Sequence, residues 1–268
     1  MSMIELIGYI SAIVIGFSLG LIGGGGSILT VPALVYLVGV SPVLSTSYSL
    51  FVVGAASLVG SFNYMKQGLV SYKTALVFAV PSFIAVYATR RWLVPAIPEE
   101  IMHLGDFVLT KDVAVMVFFA LLMAVASFSM IRTGKQEKNQ GEGMVRYNYP
   151  MIVLEGAVVG VLTGLVGAGG GFLIIPALVI LAKLPMKLAI GTSLLIIAAK
   201  SLIGFVGDIG VQPIDWTFLL IFTAIAVVGI FVGTYVSKYI AGKKLKVGFG
   251  WFVLAMAAFI LINELIIT

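Results

Sequence analysis

Four consecutive glycines at residues 23–26 interrupt an otherwise continuous apolar stretch, GLIGGGGSILTVPAL, at residues 20–34. Glycine costs roughly 1 kcal/mol relative to alanine in a helix interior, so we expect a helix to end at this run. A related stretch, GLVGAGGGFLIIPAL, occupies residues 164–178. Any fold for this chain therefore has to accommodate two glycine breaks inside apolar segments.

The composition identifies the broad class of protein. Of the 268 residues, 61% are hydrophobic and 10% are charged, whereas a soluble domain has about a quarter charged residues. The sequence therefore predicts an all-α polytopic membrane protein. It contains no cysteine and one histidine, which excludes disulfides and thiolate zinc sites. We expect no cofactor, no metal site and no catalytic residue. The net charge of +5 does not indicate nucleic-acid binding, because the basic residues lie in short loops.

Ten apolar runs predict membrane segments, since a hydrocarbon core of about 30 Å takes roughly 20 helical residues. Their expected ranges are 3–22, 27–40, 43–65, 72–93, 110–131, 150–167, 171–184, 187–207, 215–237 and 246–267. The second and the seventh are short, and each directly follows a glycine break. Backbone at such a break has to be buried in protein or line a wet cavity, because lipid cannot satisfy its hydrogen bonds.

The basic residues favour one orientation of these segments. If all ten cross the membrane, twelve of the sixteen Lys and Arg side chains fall in loops on one side, and only those at positions 90, 91 and 111 fall in loops on the other. Loops rich in Lys and Arg stay in the cytoplasm. We therefore predict a multi-pass protein of the cell inner membrane, with cytoplasmic basic loops and both termini outside. Full crossing by the two short segments and a re-entrant path both remain open.

An internal repeat relates the two halves of the chain. Residue i matches residue i+144 at ten of sixteen positions from residue 20, and Ser49-Leu50 aligns with Ser193-Leu194 in the same register. Five segments per half is an odd number, so the copies insert in opposite orientations. The predicted organisation is a first repeat at residues 1–131, a cytoplasmic linker at 132–149 and a second, inverted repeat at 150–268. Inverted repeats with matching broken segments indicate the central site of a secondary transporter.

The chemistry of the breaks favours an anion. Helix N-termini present unpaired amides and partial positive charge, and glycine lets a ligand approach the backbone closely. Hydroxyl groups at matching repeat positions add hydrogen-bond donors. The predicted substrate-binding residues are Gly23, Gly24, Gly25, Gly26, Ser27, Ser49, Gly167, Gly169, Gly170, Gly171, Thr192, Ser193 and Lys200. The alternative interpretation is that these small residues only allow helices to pack closely.

Charged residues inside apolar segments add candidates. Lys200 lies in the middle of its segment, where a cation is costly and is a functional candidate by default. It either helps to hold an anionic substrate, or it reaches the membrane surface or pairs with an acid such as Asp208. Glu155 lies near the start of its segment, where an interfacial position is expected. If transport is coupled to protons, Asp208 and Glu155 are the carboxylates to consider.

The paired glycine stretches, together with TSYSL at 46–50, GTSLL at 191–195 and the GLVSY and VQPIDW elements, resemble the TauE/SafE sulfite exporter family. The resemblance covers about residues 5–265. It implies movement of sulfur-containing anions, such as sulfite or organosulfonates, across the lipid bilayer. The extra Ser-Tyr in TSYSL and the lysine at position 200 depart from the pattern expected for the family and suggest a substrate other than sulfite.

These observations predict a secondary transporter that exports small sulfur-containing anions by alternating access around a site near the membrane midplane. An anion channel of the same architecture is one alternative. A membrane subunit that partners a sulfur-metabolising enzyme through the basic loop at 132–149 is another. A membrane enzyme is disfavoured by the lack of catalytic groups. The sequence leaves a homo-oligomer open.

Overall fold

The computed structural model describes residues 3–93, 96, 98, 100–104, 107–136, 149–166, 171–206, 209 and 213–262. Within these residues the protein is almost entirely helical, and a helix corresponds to each of the ten predicted segments. The helices are α1 (Met3–Ile22), α2 (Gly25–Pro32), α3 (Pro42–Lys66), α4 (Tyr72–Ala88), α5 (Lys111–Gln136), α6 (Tyr149–Val166), α7 (Gly171–Pro176), α8 (Met186–Val206), α9 (Trp216–Tyr239) and α10 (Gly242–Ile262).

Three helices continue into a turn of π-helix. These turns are Ala33–Leu37 after α2, Thr89–Leu93 after α4 and Ala177–Leu181 after α7. The turns after α2 and α7 each follow a proline at the helix end, Pro32 and Pro176. A proline cannot donate the amide hydrogen bond of a regular helix, which explains a change of helix type at these points. The equivalent positions of the two halves thus share the same local structure.

Length and hydropathy qualify four helical stretches as membrane spans: Leu44–Lys66, Met186–Val206, Trp216–Tyr239 and Gly242–Ile262. Four shorter apolar stretches accompany them: Ile7–Ile22, Tyr72–Ala88, Ala120–Arg132 and Pro150–Thr163. Many large apolar side chains on these helices, such as Phe62, Leu76 and Val125, are exposed. Such a surface is costly in water and normal in lipid. The architecture is that of a multi-pass membrane protein.

The insertion between the fourth and fifth predicted segments forms a small β-hairpin, which the sequence did not predict. Strand β1 (Glu100–Leu104) pairs antiparallel with β2 (Phe107–Thr110), and His103 lies opposite Val108. The predicted outward loop is therefore partly regular structure. The hairpin leads directly into α5.

Close helix packing at glycines joins α1 to α9 and α4 to α6. A Cβ atom at Gly16 would clash with the carbonyl of Ala226, and one at Gly160 would lie 2.5 Å from the carbonyl oxygen of Ser82. Gly160 is the counterpart of Gly16 under the 144-residue shift, and Ser82 is the counterpart of Ala226. The same pair of equivalent positions is therefore in contact twice, with the two halves exchanged. Glycine allows backbones to approach this closely. The two contacts therefore occupy equivalent positions under this shift.

A second pair of equivalent contacts involves hydrogen bonds. The backbone N–H of Asp215, which caps α9, donates to the hydroxyl of Tyr48 over 2.8 Å. The backbone N–H of Ser71, which precedes α4, donates to the hydroxyl of Thr192 over 3.0 Å. Tyr48 and Thr192 are 144 residues apart, as are Ser71 and Asp215. Each half thus uses a hydroxyl from its long central helix to fix the start of a helix in the other half.

The central helices α3 and α8 run antiparallel to each other. A Cβ at Gly60 would lie 3.3 Å from Leu194, and one at Gly204 would lie 3.5 Å from Leu50. The earlier part of α3 therefore lies beside the end of α8, and the later part of α3 lies beside the earlier part of α8. These two contacts also exchange under the 144-residue shift, which is the reciprocity expected of a two-fold relation. By the same reasoning α1 is parallel to α9, since Gly16 and Gly20 face Ala226 and Ile230 in turn.

Candidate functional site

The first glycine run separates α1 from α2 at a sharp turn. Helix α1 ends at Ile22, and Gly23 takes a φ of 83°, a left-handed conformation that favours glycine. The N–H of Gly23 still donates to the carbonyl of Leu19 over 2.7 Å. Helix α2 begins at Gly25, and its N-cap residue, Gly24, offers no side chain to cap it. The first N–H groups of α2 therefore have no side-chain cap at the N-cap position.

The two halves of the protein meet at this turn. A Cβ on Gly24 would lie 2.5 Å from the carbonyl oxygen of Gly171, the first residue of α7. A Cβ on Gly23 would lie 2.9 Å from the hydroxyl oxygen of Ser193 in α8. All four residues are buried. The structure thus brings together predicted site residues from both repeats: Gly23, Gly24, Gly171 and Ser193.

The hydroxyl of Ser193 donates to the carbonyl of Ile190 over 2.9 Å, within its own helix. It would have to rotate before it could donate to a bound anion. Gly26 has a different neighbourhood, because a Cβ there would clash with Leu19 and approach the carbonyl of Ile15 in α1. Gly26 therefore packs α2 against α1. Gly25 and Ser27 lie in the first turn of α2.

Two other predicted hydroxyls lie away from this cluster. Thr192 is occupied by the amide of Ser71 at the start of α4. Ser49 is buried, but α3 and α8 run antiparallel, so Ser49 and Ser193 lie near opposite ends of their crossing. Roughly twelve helical residues, about 18 Å, separate them along the helix axes. Equivalence in the repeat therefore does not make these two serines neighbours.

Lys200 contacts α6, the first helix of the second repeat. Its ammonium group donates to the hydroxyl of Thr163 over 2.8 Å, and Thr163 donates in turn to the carbonyl of Gly160 over 3.2 Å. A half-buried ammonium group with a hydroxyl partner retains its charge at a lower cost than one without a partner. Asp208, the acid considered as a partner, lies outside the described residues, as do Gly167, Gly169 and Gly170.

Glu155 is buried against a neighbouring helix. Its side chain is 4% exposed, and among the described residues neither carboxyl oxygen has a hydrogen-bond partner. The next residue, Gly156, packs directly against Phe78 and Pro81 of α4. The sequence predicted only the depth of Glu155 in the membrane, and burial was not predictable because it depends on the facing helix.

One residue that sequence reasoning missed braces the first break. Tyr64 of α3 is buried, and its hydroxyl donates to the carbonyl of Gly20 over 3.0 Å and lies 2.8 Å from the hydroxyl of Ser237 in α9. It ties α1 to α9 three residues before the turn at Gly23. The sequence signal was weak, because a tyrosine near the end of an apolar segment is equally typical of a membrane interface.

A groove of about 320 Å³ lies elsewhere, on the outer side of α3 and α9. It is lined by Leu58, Val59, Phe62, Asn63, Lys66 and Phe231. No predicted site residue lines it. Among the described residues, no group of three or more His, Cys, Asp or Glu side chains could hold a metal ion.

The short helices α2 and α7, one in each half, and the antiparallel central helices α3 and α8 fit the transporter resemblance noted in the sequence. The family model described as sulfite exporter TauE/SafE matches residues 9–260. The chain belongs to this family. The TauE/SafE match covers both glycine stretches and all but the ends of the outermost helices. Membership in a family of membrane transporters sets aside the membrane-enzyme alternative.

Individual relatives of this TauE/SafE protein agree with the family match. A probable membrane transporter protein of Xylella fastidiosa (strain 9a5c) is 30% identical over 258 residues, covering 92% of this chain and 91% of the relative. The probable membrane transporter protein YunE of Bacillus subtilis (strain 168) is 28% identical, covering 79% of this chain and 82% of the relative. The similarity thus spans nearly the full length of these proteins.

Proposed function

We propose that this TauE/SafE protein is a secondary transporter that exports small sulfur-containing anions, such as sulfite or organosulfonates, across the cell inner membrane. The family description supports the substrate class. The observation that carries the proposal is the meeting of the two halves at Gly24 and Gly171, where the start of α2, whose N-cap glycine has no side chain, lies against the glycine backbone at the start of α7. Such a surface suits an anion because it presents N–H donors and partial positive charge.

The proposed mechanism is alternating access between two inverted repeats, residues 1–131 and 150–268. The antiparallel course of α3 and α8, which are equivalent helices, supports inversion, as does the exchange of contacts under the 144-residue shift. Gly24 and Gly171 are too close in this conformation to admit an anion, so binding between them requires their separation. Movement of one repeat against the other would provide this opening. The basic loops are proposed to face the cytoplasm.

The proposed site comprises Gly23, Gly24, Gly171 and Ser193, with Gly167, Gly169 and Gly170 completing the second break. The proposed contribution of Lys200 is to attract the anion from the α6 side, where its ammonium group is held by Thr163. Ser49, by its position in the repeat, would serve the equivalent approach from the opposite end of the α3–α8 crossing.

The test is uptake of labelled sulfite and of a labelled alkanesulfonate into proteoliposomes that contain the purified protein. We expect saturable uptake and exchange of external for internal anion. Gly24→Ala should lower this exchange by about tenfold or more, the equivalent of about 1.4 kcal/mol, because the added Cβ prevents the breaks from packing. Gly248→Ala is the matched control, since a Cβ at this exposed helical glycine meets no atom within 4 Å.

The alternatives predict different results. Flux that does not saturate and shows no exchange would indicate an anion channel. Absence of any flux from monodisperse protein would contradict transport and favour the partner-subunit alternative. Equal exchange in Gly24→Ala and Gly248→Ala would contradict the proposed site while leaving transport itself in place.

A further inference from the structure

Polar groups without partners are concentrated on one side of the duplicated scaffold. Among the described residues, the buried side-chain oxygens that lack a hydrogen bond belong to Ser57, Ser82, Ser201 and both carboxyl oxygens of Glu155. Of these four residues, three lie on α4, α6 and α8. Two of these helices, α6 and α8, are joined by the hydrogen bond from Lys200 to Thr163. We call Ser82, Glu155, Thr163, Lys200 and Ser201 the polar side.

These residues form one region of the structure. Gly160 packs against the backbone of Ser82, and its carbonyl accepts from Thr163, which accepts from Lys200. Ser201 follows Lys200 in α8. Glu155 precedes Gly156, which packs against Phe78 and Pro81, the turn of α4 just before Ser82. Glu155 and the hydroxyl partner of Lys200, Thr163, therefore lie about two turns apart on α6, on either side of its packing contacts with α4.

The equivalent region of the other half has a different composition. The 144-residue shift replaces Lys200 by Ala56, Thr163 by Leu19 and Ser82 by Ala226. Glu155 is replaced by Ser11, whose hydroxyl is satisfied by the carbonyl of Gly8 at 2.6 Å. The fold evidently forms the same glycine contact without these polar groups. The scaffold therefore does not require Ser82, Glu155, Thr163 or Lys200, and a role in function explains their presence. Ser201 differs, because its counterpart Ser57 is also a buried serine.

Ionisation of Glu155 is disfavoured in this conformation. A carboxylate buried without a donor or a cation costs several kcal/mol, whereas the neutral acid costs much less. Burial therefore favours the protonated form of Glu155 in this state, and exposure of the α4–α6 contact to water would favour release of the proton.

Among the side chains that the structure describes, no charged group in the elements packed against α6 neutralises this carboxyl. Helix α6 packs against α4, the turn Thr89–Leu93, α5, α7 and the turn Ala177–Leu181. Their titratable or charged residues are Tyr72, Lys73, Tyr87, Arg90, Arg91, Lys111, Asp112, Arg132 and Lys135. Those whose side chains are described, namely Tyr72, Lys73, Tyr87 and Arg132, are exposed. None is a hydrogen-bond partner of Glu155.

We infer that Glu155 carries the proton that couples transport to a pH gradient, an inference that rests on the proposed transport function. The carboxyl group takes up a proton while water reaches it from one face of the membrane. It keeps the proton while the α4–α6 contact is closed and releases it when the contact opens to the other face. Binding of the anion and binding of the proton therefore shift the same conformational equilibrium. Each changes the affinity for the other by the same factor, which is a reciprocal coupling.

The test uses proteoliposomes with the membrane potential clamped and a pH gradient imposed in each polarity. The probes are labelled sulfite and a labelled alkanesulfonate, which stays a monoanion throughout. With one proton per anion, a gradient of one pH unit sustains about tenfold accumulation in one of the two polarities. In Glu155→Gln, which imitates the protonated acid, this accumulation should fall to about onefold while anion exchange at equal pH stays within about twofold of the wild type.

Glu100→Gln is the matched control, because it removes an exposed carboxyl group from β1. It should keep both accumulation and exchange. Accumulation in Glu155→Gln equal to the wild type would overturn the inference, as would accumulation that follows a Na⁺ gradient and ignores pH. Loss of exchange together with accumulation, from monodisperse protein, would also overturn it, because Glu155 would then act in binding or structure.

A second measurement separates this inference from the proposed function. Infrared difference spectroscopy of the solubilised protein between acid and alkaline buffer detects the C=O stretch of a protonated carboxyl group without any substrate. We expect a band in the wild type that is missing in Glu155→Gln and retained in Glu100→Gln. If neither probe is exchanged, the proposed function fails, and this band alone decides whether Glu155 binds a proton. Its absence from the wild type would overturn the inference.

Discussion

The α4–α6 contact and the α1–α9 contact have the same backbone arrangement and different chemistry. Both depend on a glycine that admits a carbonyl from the facing helix, Gly160 with Ser82 and Gly16 with Ala226. Around the first lie Glu155 and Thr163, and around the second lie Ser11 and Leu19. Close packing is common to both contacts and is therefore what the fold needs. The buried polar groups Glu155 and Thr163 lie at only one of them.

The shared packing predicts the largest effect. Gly16→Leu and Gly160→Leu should both prevent folding, because overpacking against backbone at a close helix contact costs at least about 3 kcal/mol. The measurement is the yield of monodisperse protein in detergent. Gly248→Leu should be tolerated, since that exposed position has free space around it. Normal yield from only one of the two core variants would show that the two contacts are not equivalent supports.

Lys200 tests the difference between the halves. Lys200→Met should raise the KM for anion exchange by about tenfold, the equivalent of about 1.4 kcal/mol of lost attraction. It should not lower thermal stability, because replacing a half-buried charge by an apolar side chain of similar length is often neutral or stabilising. Lys187→Met is the control, since that lysine is also half-buried and donates to the carbonyl of Lys238, on a different helix. A stability loss without a change in KM would assign Lys200 to the scaffold.

The equivalent hydrogen bonds at the starts of α4 and α9 predict a smaller and symmetric effect. Thr192→Val and Tyr48→Phe each remove the acceptor of a backbone N–H, from Ser71 and Asp215 respectively. Each should lower the stability by about 1 kcal/mol, measured by thermal or denaturant unfolding in detergent, with the KM unchanged. A raised KM in Thr192→Val alone would instead support the sequence-based placement of Thr192 in the substrate site.

The positions of the helices were predictable because apolar runs and glycine or proline punctuation depend on the sequence alone. The predicted segment at 187–207 and the observed helix Met186–Val206 differ by one residue at each end. The hairpin at Glu100–Leu104 and Phe107–Thr110 was not predicted, because short strands in a charged insertion lack a strong periodic signal.

The composition of the candidate site was less predictable, because it depends on helix directions. The repeat aligned Ser49 with Ser193 and suggested that they act together. Under a two-fold relation, equivalent residues are neighbours only close to the axis, and the antiparallel course of α3 and α8 separates these two. The partner of Lys200 was also hidden, since Thr163 lies 37 residues away on a different helix.

Ser57 and Ser201 predict the smallest effect and sharpen the comparison further. They are equivalent in the repeat, both are buried, and neither hydroxyl has a hydrogen bond in this conformation. Ser57→Ala and Ser201→Ala should therefore raise the stability by similar amounts, up to about 1 kcal/mol, since each removes an unsatisfied polar group. Ser201 adjoins Lys200, so we expect only its replacement to slow anion exchange, by about twofold, which corresponds to about 0.4 kcal/mol. Equal slowing in both variants would mean that the two hydroxyls act as a symmetric pair at the α3–α8 crossing. The functional difference between the polar side and the equivalent residues of the other half would then not extend to Ser201.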